Sequence, residues 1–92
     1  MTAFRIWGGE SAEAGSWLSP IAPESGSAAR SLLSLPPGNT AEFISPVQIP
    51  GGTQIQFGTA AGAFGQAGGG IQMQLLERIP LSSFGPSTLL PP

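Results

Sequence analysis

The sequence predicts a small α+β domain dominated by short β-strands, with one short helix and long Gly/Pro-rich loops. Three observations carry that expectation. The chain has 92 residues, enough for one small core. Its 14 glycines and 10 prolines interrupt the sequence at short intervals, leaving room for brief strands and little room for long helices. Only 9% of residues are charged while 40% are hydrophobic, the opposite of the balance that keeps a chain disordered.

Taken in order, Thr2 to Trp7 alternates, with Ala3, Arg5 and Trp7 on one side and Phe4 and Ile6 on the other. That pattern is a strand, and Gly8-Gly9 ends it. Phe4 and Ile6 are expected to face the core, leaving Arg5 and Trp7 on a second surface. Glu10 to Gly15 is a polar connection, and Ser16 to Ser19 is a second short strand closed by Pro20. After a Pro- and Ser-rich loop, Ser25 or Ser27 caps a helix over roughly residues 27–35, terminated by Pro36-Pro37. From Thr40 the chain reads as β. Ala41 to Ile44 and Val47 to Ile49 are short strands separated by Pro46, followed by a turn at Pro50-Gly51-Gly52 and an alternating strand from Thr53 to Phe57.

Gly58 to Gly70 is built of Gly, Ala, Thr and Gln with one large side chain, Phe64. A loop of that length in so small a domain is expected to be functional. Ile71 to Ile79 resumes strand character, with Gln72 and Gln74 opposite Ile71, Met73 and Leu75. Residues 1–79 therefore form a single domain. Residues 80–92, which contain Pro80, Pro86, Pro91 and Pro92, form a Pro-rich tail packed on its surface.

The missing residue types narrow the chemistry. The sequence contains no Cys, His, Asp, Lys or Tyr. Disulfide scaffolds, zinc sites built on Cys or His, Ser-His-Asp and Cys-His nucleophiles, Schiff-base lysines and the P-loop lysine are all excluded. No metal is expected. The charged side chains are Arg5, Arg30 and Arg78 against Glu10, Glu13, Glu24, Glu42 and Glu77, a net charge of −2. Without a basic cluster, nucleic-acid binding is not expected. No apolar run approaches the roughly 20 residues that span a bilayer, so no membrane partner is expected either.

Most hydrolytic chemistry needs a general acid for a poor leaving group or a base-activated nucleophile, and only Glu is left for either role. Cleavage of a nicotinamide–ribose bond asks for less. The nicotinamide is cationic within the substrate, so it departs neutral and needs no proton. An arginine for the pyrophosphate, an aromatic face, a hydroxyl and one Gln or Glu acceptor suffice. The inventory is compatible with that reaction.

Phe4-Arg5-Ile6-Trp7-Gly8-Gly9, followed by Gly15-Ser16-Trp17-Leu18-Ser19, resembles the opening of bacterial polymorphic-toxin C-terminal domains. Leu35 to Glu42 and Pro50-Gly51-Gly52-Thr53 have the same family look. The stretch from Phe57-Gly58 through Phe64-Gly65 and Gly68-Gly69-Gly70 to Gln72 and Gln74 is similar to the tuberculosis necrotizing toxin type of NAD glycohydrolase. The wider frame is the ADP-ribosyltransferase superfamily, whose fold is a small split β-sheet or barrel. The resemblance implies that Arg5 binds the dinucleotide, Ser16 or Ser19 supports the nicotinamide ribose, and Gln72 or Gln74 is the late catalytic residue. In the absence of Tyr, Trp7, Trp17 or Phe64 would stack on the nicotinamide. It implies NAD as substrate and Gly58–Gly70 as a mobile loop over the site. It also implies a cognate immunity protein, and a larger secreted protein that delivers the domain to the target-cell cytoplasm.

Other readings of the same residues stay open. Transfer of ADP-ribose to a macromolecule is the neighbouring activity, although Gln at 72 and 74 in place of Glu favours hydrolysis. A non-catalytic, β-rich interaction module is the alternative from another class. In that case Arg5 is a strand-edge charge, both tryptophans are core or rim residues, and the glutamines face solvent.

Overall fold

The protein's computed structural model describes all of residues 1–92. Strand β1 (Thr2–Trp7) pairs antiparallel with β3 (Phe43–Gln48), which pairs in turn with β6 (Thr88–Leu89), giving one three-stranded sheet. The second sheet has the order β2 (Trp17–Leu18), β5 (Ile71–Leu75), β4 (Ile55–Thr59), also antiparallel. Phe4 and Ser19 exchange backbone hydrogen bonds of 2.8 Å in both directions, which seams β1 to the end of β2. One helix, α1 (Gly26–Leu33), and a short 3-10 turn (Leu81–Ser83) complete a β-dominated α+β domain. No helix is long and apolar enough to cross a membrane.

The alternation in β1 buries both of its faces. Ala3 pairs with Val47 across the ladder and packs with Leu18, Ile49, Met73 and Leu75, which fills the space between the two sheets. Ile6, on the other face, packs with Ala29 of α1, Ala41 and Leu90, and Phe4 lies against that cluster. The second surface expected for Arg5 and Trp7 is therefore interior for Arg5 and half-buried for Trp7. The second sheet closes over the end of β1 that carries Ala3, and the loop before β2 folds over Arg5.

Ser25 is the residue that caps α1, its Oγ accepting from the Ala28 N–H at 3.0 Å. The helix ends at Ser34 in a left-handed conformation, before the prolines are reached.

Pro46 does not separate two strands as expected. It lies inside β3 opposite Phe4, whose backbone bonds go to Ser19 and not to β3. The proline's missing N–H therefore removes nothing from the β1–β3 ladder, and its carbonyl accepts from Gly85. Strand β5 stops at Leu75, short of the expected Ile79; just beyond it Leu76 donates to the Gln54 carbonyl and the Glu77 carboxylate accepts the Gln54 N–H.

The segment from Gly58 to Gly70 is a hydrogen-bonded extension of the β4–β5 hairpin. Ala60 and Gly70 are bonded, as are Gly69 and Ala60, and Ala63 and Gln66 exchange bonds in both directions. Phe64 and Gly65 occupy the tip with φ of 53° and 75°, the two positive values that a type I′ turn requires. The glycine run docks on α1: Gly68 and Gly70 donate to the carbonyls of Ser31 and Leu32 at 2.8 and 2.9 Å. Those are carbonyls that a helix C-terminus leaves without partners. The segment expected as a loop over the site is thus tied to the helix at its base and projects at its tip.

Residues 80–92 lie on the surface of the first sheet, and they also complete it. They supply its edge strand, send Leu90 into the core, and accept the Gly26 N–H at the Pro91 carbonyl.

Candidate functional site

Arg5 anchors the site. It is 9% exposed, and its Nε and Nη2 donate to the Ala12 carbonyl at 3.2 and 2.9 Å while Nη1 donates to the Trp17 carbonyl at 3.1 Å. These bonds pull the loop before β2 across β1. Gly15 lies directly over the guanidinium, where a Cβ would come within 2.6 Å of Cζ, so the close approach requires glycine. Burial pushes the Arg5 pKa below its ordinary value, because the charged form loses water. Its bonds go to neutral carbonyls and no carboxylate balances its charge. The donors not spent on Ala12 and Trp17 remain unclaimed.

Arg5 lines a half-open cavity of about 390 Å³ between the end of α1, the start of β5 and the hairpin tip. Trp17, Phe64 and Gln72 line the same cavity. Four of the residues expected at a site are therefore brought together, although they lie far apart in the chain. Trp17 reaches it from β2 with its side chain 48% exposed. Gln72 is half-buried in β5, opposite Gly58, where a glycine leaves its flank open. Phe64 stands at the hairpin tip, 60% exposed and held at a backbone angle that a bulky residue rarely adopts.

The other four expected residues lie elsewhere. Gln74 shares a face of β5 with Gln72 but sits between Trp17 and Gln56 in register, outside the cavity lining. Ser19 is buried, with its Oγ donating to the Ile21 carbonyl and its backbone bonded to Phe4, so it is part of the seam. Trp7 stacks on Phe43 with ring centroids 4.5 Å apart, and its Nε1 donates to Ser45 Oγ at 2.9 Å. Ser45 Oγ bonds Ser87 Oγ, which donates to Glu13, so Trp7 belongs to a polar chain that ties the C-terminal segment down. Ser16 borders a separate cavity of about 620 Å³ near Glu77 and Arg78. That cavity is the larger, but it contains no buried charge and only one expected residue, so the smaller one is the better candidate.

Three polar cavity residues, Ser11, Ser34 and Asn39, escaped the sequence reading. Asn39 is buried, with Nδ2 donating to the Ile6 carbonyl and Oδ1 accepting from the Ala41 N–H. Its Gly38-Asn39 context reads only as a turn. A serine just beyond a helix, as at Ser34, gives no signal beyond a cap, and Ser11 reads only as part of a polar connection. No group of His, Cys, Asp and Glu side chains is placed to hold a metal ion.

The fold and site together define a small β-dominated α+β domain with a ligand-sized cavity built round a buried arginine. The chain matches no family model, no curated protein and no solved structure.

Proposed function

We propose that the cavity binds NAD and that the domain hydrolyses its nicotinamide–ribose bond. The observation that carries this reading is Arg5, a buried guanidinium without a carboxylate partner that shares one cavity with two aromatic side chains and a glutamine. A buried cation with spare donors gains most from an anion, and the pyrophosphate of a dinucleotide supplies one. Trp17 and Phe64 offer π faces to a planar ring. Gln72 offers a carbonyl oxygen to the positive charge that develops on the ribose.

In this mechanism the bond between the ribose and the nicotinamide nitrogen breaks with its electron pair going to nitrogen, so nicotinamide leaves neutral. Water adds to the anomeric carbon and loses a proton to solvent, giving ADP-ribose. No step calls for a group that the sequence lacks.

The two-sheet arrangement, with an arginine on the first strand and a glutamine on a late strand beside one cavity, supports an ADP-ribosyltransferase-like fold. Hydrolysis is the preferred reaction because no carboxylate lines the cavity and positions 72 and 74 are Gln. The biological role in this reading is that of a polymorphic-toxin domain. It is delivered by a larger secreted protein, acts in the cytoplasm of the target cell, and is neutralised by an immunity protein.

NAD labelled in the adenylate half tests the reading. The expected result is label recovered as free ADP-ribose. Label retained on a macromolecule replaces hydrolysis with transfer, and label remaining in NAD after hours with folded protein overturns both.

A further inference from the structure

Strand β4 ends the second sheet, paired with β5 on one side and with nothing on the other. At one end of the pair the Leu76 N–H donates to the Gln54 carbonyl at 3.0 Å. At the other the Ala60 N–H donates to the Gly70 carbonyl at 2.8 Å. In an antiparallel pair every second residue bonds its neighbour, so these bonds fix the phase of the ladder. Gln56 and Gly58 bond β5, and the N–H and C=O groups of Ile55, Phe57 and Thr59 point away from the sheet.

The remaining edges are short or covered. Strand β1 is seamed to Ser19 at Phe4 and crossed by the loop that Arg5 holds. Strand β6 has two residues and lies between Pro86 and Pro91. By contrast β4 has five residues with no proline, and no charged residue occurs from Phe43 to Leu76. Charge, proline and short length are what keep exposed edges from pairing, and β4 has none of them.

Its side chains are uncovered on the side that should be inside. Ile55, Phe57 and Thr59 share a face with Leu75, Met73 and Ile71, their partners across the ladder. Met73 and Leu75 are buried there in the core, yet Phe57 is 53% exposed and Ile71 51% exposed. The apolar face therefore runs past the core into solvent. Gln72, which lines the Arg5 cavity, is on the opposite face.

We infer that β4 is the interface with a second copy of this chain, paired antiparallel about Phe57. The strand complements itself in that register. Phe57 meets Phe57 of the second copy, and Ile55 meets Thr59 on either side of the two-fold axis. Every outward N–H and C=O of both strands is then used. The two Phe57 rings come together on the apolar face, so each copy covers what the other exposes. A charged partner strand finds no opposite charge along β4 to select it, whereas a second copy meets no like charge there. The two sheets join into one, and the Arg5 cavities stay open on the other face.

Sedimentation across a range of concentrations, with amide exchange followed by NMR, tests this on the intact chain. Concentrated wild type is expected to sediment at twice the chain mass. The amides of Gln56 and Gly58 are expected to be protected at every concentration, and those of Ile55, Phe57 and Thr59 only in the dimer. Phe57→Lys and Phe57→Glu each set like charges opposite one another, and each is expected to weaken the dimer by about 10-fold or more. Mixing the two variants is expected to restore it, because residue 57 then faces an opposite charge. Thr59→Pro removes an outward N–H that β5 does not use, and should give a monomer that circular dichroism shows folded. Wild type that stays monomeric at its highest soluble concentration overturns the proposal. So does a dimer that survives both Phe57→Lys and Thr59→Pro, or a Lys–Glu mixture that fails to recover it. Outward amides that become protected only when a foreign apolar strand peptide is added also overturn it, and give the edge to another protein.

Discussion

Replacing Arg5 with alanine separates its two roles, as a strut inside the fold and as an anion site in the cavity. The strut role sets the stability cost. Three charge-assisted hydrogen bonds disappear, and the carbonyls of Ala12 and Trp17 are left beneath Gly15. Bonds to a charged group contribute about 1.5–3 kcal/mol each. Part of that loss is returned, because removing a buried guanidinium with no counter-charge also removes its desolvation penalty of several kcal/mol. The expected net destabilisation is about 2–4 kcal/mol. In a domain of this size each kcal/mol moves Tm by roughly 4–8 °C, so Arg5→Ala should melt roughly 10–30 °C below wild type. The anion role is read in the same melts with added ADP-ribose, which keeps the pyrophosphate and is not consumed. At 100 times its Kd a ligand stabilises by about 2.7 kcal/mol, a rise of roughly 10–20 °C for wild type and none for the variant. An Arg5→Ala protein that melts within a few degrees of wild type would refute the strut. Equal stabilisation of both proteins by ADP-ribose would refute the anion site.

Three further outcomes follow from the geometry. Phe64→Asn puts a residue suited to positive φ at the first position of the hairpin turn, and should raise stability by about 0.5–1 kcal/mol in thermal melts. If Phe64 stacks on the nucleotide, the same variant should raise KM for NAD about 10-fold, and unchanged kinetics would remove Phe64 from the site. Gly68→Ala faces a Cβ within 2.5 Å of the Ala60 carbonyl oxygen at φ 75° and should cost more than 2 kcal/mol, whereas Gly58→Ala meets nothing and should stay within about 0.5 kcal/mol. Gln72→Ala should lower kcat about 100-fold with Tm within a few degrees of wild type, because the substitution falls in the cavity lining and outside both core clusters.

Several of these features are legible in the sequence because they are local. The alternation of Thr2–Trp7 gives β1 directly, Ser25 gives the helix start, and the glutamine alternation gives β5. Legibility fails wherever tertiary partners decide. Nothing near Pro46 announces that Phe4 bonds Ser19, which is what lets β3 run through the proline. The glycines at 68–70 look like part of a mobile loop, yet Gly68 and Gly70 donate to α1 carbonyls whose need for donors depends on the helix lying alongside. The C-terminal segment looks like a wrapping tail, while β3 still had an open edge for it to fill.

The candidate site divides on the same line. Arg5, Trp17, Phe64 and Gln72 are among the residues that the toxin-domain resemblance implies, and the fold gathers them into one cavity. Trp7, Ser16 and Ser19 have equally suitable side chains but are taken up by a stacked pair, a second cavity and a seam. Gln74 shows the limit of strand periodicity, since sharing a face with Gln72 does not place it beside the same cavity. Ser34 carries no sequence signal, because the burial of its hydroxyl without a partner is a property of the packing alone.

The central claim is that a cavity built on Arg5 and Gln72 turns NAD over. Its most direct test is the release of nicotinamide from NAD by the folded wild-type protein, followed by chromatography beside Gln72→Ala. The account predicts one nicotinamide and one ADP-ribose per NAD consumed, falling about 100-fold in the variant. Intact NAD after prolonged incubation with folded wild-type protein, or equal release by the variant, would contradict it.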